Sequence, residues 1–223
     1  MKLESHGILI GMRPFGERDS IGIVFTRDFG VMHGMLKGAQ VAKKNRPLVG
    51  QRGAVSWNAR LDSQLGAFHW EAEKNLSAEL MSNPKLLGCM NSAFALIAGL
   101  VPEREACESL FIRTDEMLRR LAGCNGGSPA DAAPHEIYLD WEKELLRELG
   151  YALDLTRCSN CRKTSDLNYL SPRTGRAVCD ECAVPYLDRL FKLPLSLDVM
   201  RKFLDKICEQ QGAALPPARK TLV

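Results

Sequence analysis

Between Asp28 and Asp62 the sequence contains no acidic residue, while Lys37, Lys43, Lys44, Arg46, Arg52 and Arg60 all fall in that span. The formal net charge of the whole chain is only +3, so basic charge is concentrated here and the remainder is net acidic. A local positive field of this kind favours phosphate-rich partners. Long apolar runs are also missing. The longest, residues 93–101, is too short to span a bilayer and reads as a buried helix. The start, MKLESHGILIGMRPFG, carries Glu4 and alternates where a secretory leader would have an apolar core. These absences set the expectation of a cytoplasmic protein with no membrane partner.

The signatures of common catalysis are absent as well. There is no G-x-x-x-x-G-K-[ST] loop, no G-x-G-x-x-G after a strand and no G-x-S-x-G elbow. His135-Glu136 opens like a metalloprotease helix, but Leu139 stands where the second histidine belongs. His6, His33, His69 and His135 are spread along the chain, and His33 and His69 sit in strand patterns as packed or surface side chains. Glu142, Glu144 and Glu148 read as a solvated helix face. No clustered Asp/Glu pair suggests a divalent-metal nuclease. No catalytic residue is assigned. Aromatic residues are only 7% of the chain, and Trp57, Phe68 and Trp70 share the phase of core positions. Phe15 and Phe29, in turns, remain as candidates to stack on bases. Many cations with few aromatics imply binding to a nucleic-acid backbone without sequence readout.

What the sequence does contain is a C-x2-C-x17-C-x2-C array: Cys158, Cys161, Cys179 and Cys182. Two thiolates separated by two residues reach one ion from a single tight turn, and a second such turn completes a tetrahedral S4 shell suited to Zn²⁺. With all four positions filled by protein, the metal is structural, one per chain, and leaves no open site for hydrolysis. Two disulfides, an iron–sulfur centre or unrelated buried thiols would use the same residues. The other cysteines, Cys89, Cys107, Cys124 and Cys208, lie without pairwise rhythm, as in proteins of reducing compartments.

Residues 1 to about 75 show five short stretches of period two around Ile8, Ile21, Val31, Val55 and Phe68, separated by turn signals such as Asp28-Phe29-Gly30. Five strands in that length suggest an OB-type barrel. Gly38 and Pro47 make residues 37–47 a loop between two of them, whose long cationic side chains could track a sugar–phosphate backbone. The period then becomes helical. Asn83-Pro84 starts a helix running to about residue 100, and a second is predicted over 103–122 with Gly123 at its end. Pro134 opens a third, with Ile137, Tyr138, Trp141, Leu145 and Leu149 as its apolar stripe ending at Gly150. Ser196 caps a last helix ended by Gly212, and the tail 213–223 is expected to be ordered only where it packs back. The fold class expected is α+β and multidomain: an OB-type β-barrel over 1–78, a mostly α-helical domain over 79–223, and a zinc-knuckle module at 154–186 inserted in the latter.

Taken together these residues resemble the bacterial recombination mediator family RecO. The resemblance covers nearly the whole chain. It rests on Lys37-Gly38-Ala39 leading into the basic loop, on Trp141-Glu142 followed by Leu145-Leu146 and Leu149-Gly150-Tyr151, and on the knuckle that begins at Cys158. Leu139-Asp140 depart from the Arg-Arg of some relatives, and the basic loop is sparser than is common in the family. The resemblance implies a nucleoid-associated, non-enzymatic DNA repair and recombination protein of the RecF pathway. Such a protein binds single- and double-stranded DNA, with Lys37, Lys43, Lys44, Arg46, Arg52 and Arg60 as the contact residues expected here. It anneals complementary strands and, with RecR, assists RecA loading on DNA coated by the single-strand-binding protein SSB. It also binds the acidic, apolar C-terminal tail of SSB. The alternative is a zinc-knuckle adaptor that binds only proteins.

Overall fold

The computed structural model describes residues 1–42, 46–61, 65–124 and 133–222. Strands β1 (Lys2–Phe15), β2 (Asp19–Thr26), β3 (Gly30–Leu36), β4 (Gln51–Asn58) and β5 (Gly66–Asn75) close into a barrel in the order β1-β2-β3-β5-β4. β1 is long enough to serve both neighbours. Its first half pairs with β4 and its second with β2, with an irregularity in the β2 register between Leu9 and Gly11. Closure comes from a short parallel pairing of β3 with β5, Gly34 opposite Gly66 and Leu36 opposite Phe68. This is the five-stranded Greek-key barrel of the OB type. Its interior holds Leu9, Val24, Met32, Leu36, Ala39, Val55, Trp57 and Phe68.

Ile8 and Ile10 flank Leu9 and therefore point out of the barrel, yet they too are buried. With Phe25 and Val31 they join the apolar core of the helices. These helices are α1 (Ser77–Leu80), α2 (Pro84–Leu100), α3 (Glu108–Gly123), α4 (Pro134–Glu148) and, beyond the cysteine module, α6 (Leu197–Gln211) and α7 (Pro217–Lys220). α2 starts as expected: the Asn83 side chain accepts from the Lys85 N–H at 3.0 Å, with Pro84 at the first turn. Ser196 caps α6 by accepting from Val199 N–H, and Gly212 ends it in the left-handed conformation at φ 66°.

α3 begins five residues later than its periodicity predicts. Residues 102–107 dock on the barrel instead: Glu103 bridges to Val31, and Arg104 donates its N–H to Val31 O at 3.0 Å. Arg104 adopts φ 61° and lays its guanidinium over the Trp57 ring at 4.8 Å. Gly30 makes the approach possible. Its φ is 65°, and a Cβ there would sit 1.8 Å from Glu105 O.

The reading of Glu142, Glu144 and Glu148 as one solvated face is corrected. Glu142 is fully buried and Glu144 nearly so. Glu142 Oε1 accepts from Arg219 Nε at 2.5 Å and from the Tyr138 hydroxyl at 2.8 Å, and Oε2 accepts from Arg219 Nη2 at 3.2 Å. Arg219 also donates to Leu197 O, so α7 is pinned across α4 and α6 by one buried ion pair.

The module between Tyr151 and Ser196 has a three-stranded sheet, β7-β6-β8, built from β6 (Tyr169–Leu170), β7 (Ala177–Val178) and β8 (Phe191–Lys192). The short helix α5 (Asp180–Ala183) and a 3-10 turn, Val184–Arg189, lie between β7 and β8. Its small core is Cys158, Val178, Cys179 and Ala183.

Candidate metal centre and nucleic-acid interface

The two C-x2-C turns converge. The Sγ atoms of Cys158, Cys161, Cys179 and Cys182 all lie within 4.8 Å of one another. Four thiolates at about 2.3 Å from a tetrahedral ion stand roughly 3.8 Å apart, so the donor set fits a metal of that size. Cys161 Sγ and Cys179 Sγ are 3.5 Å apart, beyond the ~2.05 Å of a disulfide, and all eight cysteines are free. The first turn is closed by Cys158 N–H donating to Lys163 O and Arg162 N–H donating to Cys158 O, with Arg162 at φ 65°. Asn160 Nδ2 donates to Cys182 Sγ at 3.3 Å, tying the first turn to the second. Burial opposes ionisation of Cys158, but N–H donors at Cys161, Cys179 and Asn160 outweigh it and draw its pKa down to about 6. Burial instead pushes the thiols of Cys89 and Cys107 up to about 12.

The six expected cationic contacts fare differently. Lys37 is exposed just beyond β3, at the start of a turn in which Val41 N–H and Ala42 N–H both donate to Gly38 O. Arg46 is exposed in the same β3–β4 connection, and Arg60 is exposed in the β4–β5 connection. Lys43 and Lys44 lie outside the described residues. Arg52 turns away to α3: its Nη1 lies 3.3 Å from Asp115 Oδ2, and its Nε lies 3.8 Å from Glu73. Asp115 is shared with Arg119. The charge of Arg52 is thus met inside the molecule by carboxylates remote in sequence.

The barrel brings two further cations to the Lys37 turn that the sequence reading passed over. Arg13 and Arg18 flank the β1–β2 hairpin tip, and neither has an acidic partner among the described residues. That tip is stitched to the turn. Gln40 N–H donates to Arg18 O at 3.0 Å, Gln40 Nε2 donates to Gly16 O at 3.1 Å, and Gly38 N–H donates to Asp19 Oδ1 at 2.7 Å. The signal was available only as two basic residues around a Gly-containing hairpin turn. Trp57 and Phe68 are core residues, and Trp70 and Phe29 pack against that core, as their phases suggest for all but Phe29.

Between α3 and α4 lies a cavity of about 390 Å³ whose floor includes Met117, Ile137, Trp141 and Leu155. Arg113, Arg120, Lys143 and Arg147 stand at its rim. Three of these pair with Glu116, Asp140 and Glu144, while Arg120 has no ion pair among the described residues. No described helix is long and apolar enough to cross a membrane.

Comparison with known proteins agrees with this layout. The family model for the N terminal of recombination protein O matches residues 1–73, and that for its C terminal matches residues 81–217. The chain is 38% identical over 193 residues to a DNA repair protein RecO of Granulibacter bethesdensis, covering 85% of this chain and 74% of that one. It is 37% identical over 204 residues to the protein of that name from Jannaschia sp. (strain CCS1), covering 91% and 80%. Against the one from Dinoroseobacter shibae it is 38% identical over 191 residues, covering 84% and 76%. The chain belongs to the RecO family of DNA repair proteins.

Proposed function

We propose that this protein is a non-enzymatic recombination mediator that binds single- and double-stranded DNA along the basic edge of its barrel and anneals complementary strands. The observation that carries this reading is the acid-free β3–β4 connection, with Lys37 exposed at the turn joined to the Arg18 hairpin and Arg46 exposed further along the same connection, in a chain of a DNA repair family. Cations on one edge neutralise phosphates of two strands at once and so lower the repulsion that keeps them apart. Pairing itself then supplies the free energy, and no nucleotide hydrolysis is required. Arg52 drops out of this surface, and Arg13 and Arg18 enter it.

Zn²⁺ is the metal we assign to the cysteine cluster, held by Cys158, Cys161, Cys179 and Cys182. Bound there it supplies four metal–sulfur bonds that fix the two turns, with no open coordination position. The α3–α4 cavity, apolar at its floor and cationic at its rim, suits the acidic, apolar tail of SSB. RecR and, through SSB displacement, RecA complete the set of partners. One observation favours the adaptor reading: Val184, Tyr186 and Leu187 are all exposed on the knuckle, a surface suited to a protein.

The deciding experiment is strand annealing with and without SSB, comparing wild type with a Lys37→Ala/Lys43→Ala/Lys44→Ala/Arg46→Ala variant. Wild type should anneal and bind DNA with a log–log salt slope of about −3 to −5, and the variant should weaken all sequences alike. A wild-type protein that neither binds nor anneals DNA at low salt leaves the adaptor.

A further inference from the structure

We propose that the β1–β2 hairpin tip is a stacking arm, in which Phe15 receives one unpaired base of a single strand whose phosphates pass Arg18 and Lys37. This rests on the DNA-binding reading above and adds to it the means by which a single strand is distinguished from a duplex.

Phe15 is 49% exposed, and no other Phe, Tyr or Trp of the barrel is exposed among the described residues. A large apolar ring left in water at a loop tip has no role in the barrel core. Its neighbourhood suits a nucleotide. Arg13 lies two residues back on the same face of β1, and Arg18 lies across the turn. Glu17 is the one carboxylate at the tip facing water, since Asp19 is spent on Gly38 N–H. Gly16, at φ 64°, has open space where a Cβ would be.

The arm is also held still. Gln40 bonds the tip at Gly16 and at Arg18, as well as at Asp19 O, and fixes Phe15 relative to Lys37. In OB-type barrels this connection is one of the loops that flank the ligand face. Every base presents a π-face to a ring, so stacking tolerates any sequence, whereas bases inside a duplex are already stacked on each other. A single ring has a further merit for annealing. It orients a strand while leaving the pairing edges of neighbouring bases free, which a row of aromatic platforms would not.

The test is fluorescence anisotropy on labelled oligo(dT) and on a duplex of equal length, with the full chain as wild type, Phe15→Ala, Phe15→Trp and Lys37→Ala/Arg46→Ala. Phe15→Ala should lose about 5- to 100-fold in single-strand affinity, keep duplex affinity within about twofold and keep the salt slope. Phe15→Trp should bind like wild type, and its added indole emission should be quenched by oligo(dT). Lys37→Ala/Arg46→Ala should weaken both ligands and flatten the slope. If Phe15→Ala binds oligo(dT) like wild type while the lysine–arginine variant is weakened, the stacking arm is wrong and the DNA reading stands. Equal loss on both ligands in Phe15→Ala, or no quenching in Phe15→Trp, likewise overturns the arm. Absence of DNA binding by wild type overturns both.

Discussion

Glu142 and Arg219 are both fully buried and form one ion pair. Burial raises the Glu142 pKa, and the hydrogen bonds and charge of Arg219, with the Tyr138 hydroxyl, only partly restore it. Removing one partner strands the other, so Arg219→Ala should cost about 3–5 kcal/mol. The sign of its pH dependence follows. With Arg219 gone, the folded-state pKa of Glu142 rises further above its unfolded value, and the folded state holds the extra proton. That stabilisation is complete below the unfolded pKa and is lost as pH rises through the folded one. The gap in melting temperature between wild type and Arg219→Ala should therefore narrow on moving from pH 8 to pH 5, and a gap that widens contradicts the assignment. Arg52 gives the complementary case. Arg52→Ala should lower stability by about 1 kcal/mol, since the bridge to Asp115 is only partly buried, and leave DNA affinity within about twofold. A denaturant midpoint and an anisotropy titration check both halves. Neither residue's role was legible in the sequence, for the same reason. The partner of Glu142 lies 77 residues away and that of Arg52 63 residues away, so local charge pattern reads one as solvated and the other as free.

At the scale of elements, legibility tracks how local the signal is. α2 and α6 begin where Asn83 and Ser196 place them, because a cap satisfies N–H groups two or three residues on. α3 does not begin at residue 103, because Glu103 and Arg104 find partners on β3 that a helical periodicity cannot register. The four-cysteine cluster was legible, since ligand spacing is itself a local signal, but the sheet around it, which includes β8, was not. Around the cysteines themselves little else holds it: that small core is four buried side chains, two of them cysteines, while Leu170 and Phe191 on the far side pack into the helical core. Cys179→Ser, or prolonged chelation, should therefore release about one zinc per chain and open residues 156–190 to proteolysis. The barrel's affinity for duplex DNA should stay within about threefold. Zinc loss that leaves the protease pattern unchanged would show that the metal braces nothing.

For the whole molecule, the five-strand pattern was enough to suggest the barrel, but not which of its sides is covered. Alternation alone cannot tell Leu9, facing inward, from Ile8 and Ile10, facing the helices, because all three are buried. The covered side has a consequence for stability. Ile8, Ile10, Phe25 and Val31 belong to one apolar core with α2 and α3, so barrel and helices should melt together. Calorimetry of the full chain is expected to give a single main transition, while a fragment ending at residue 78 should aggregate or bind a hydrophobic dye. A soluble, dye-silent fragment would mean that the shared core contributes little.

The α7 anchor also sets a delay during synthesis. Translation at about 5–20 residues per second leaves Glu142 waiting roughly 4–15 s for Arg219 to be made. Until then the helical bundle has a carboxylate in its centre with no counter-ion, and it must stay open to water or hold a proton. Helix α7 is therefore expected to act as a latch that closes the bundle once Arg219 has been made.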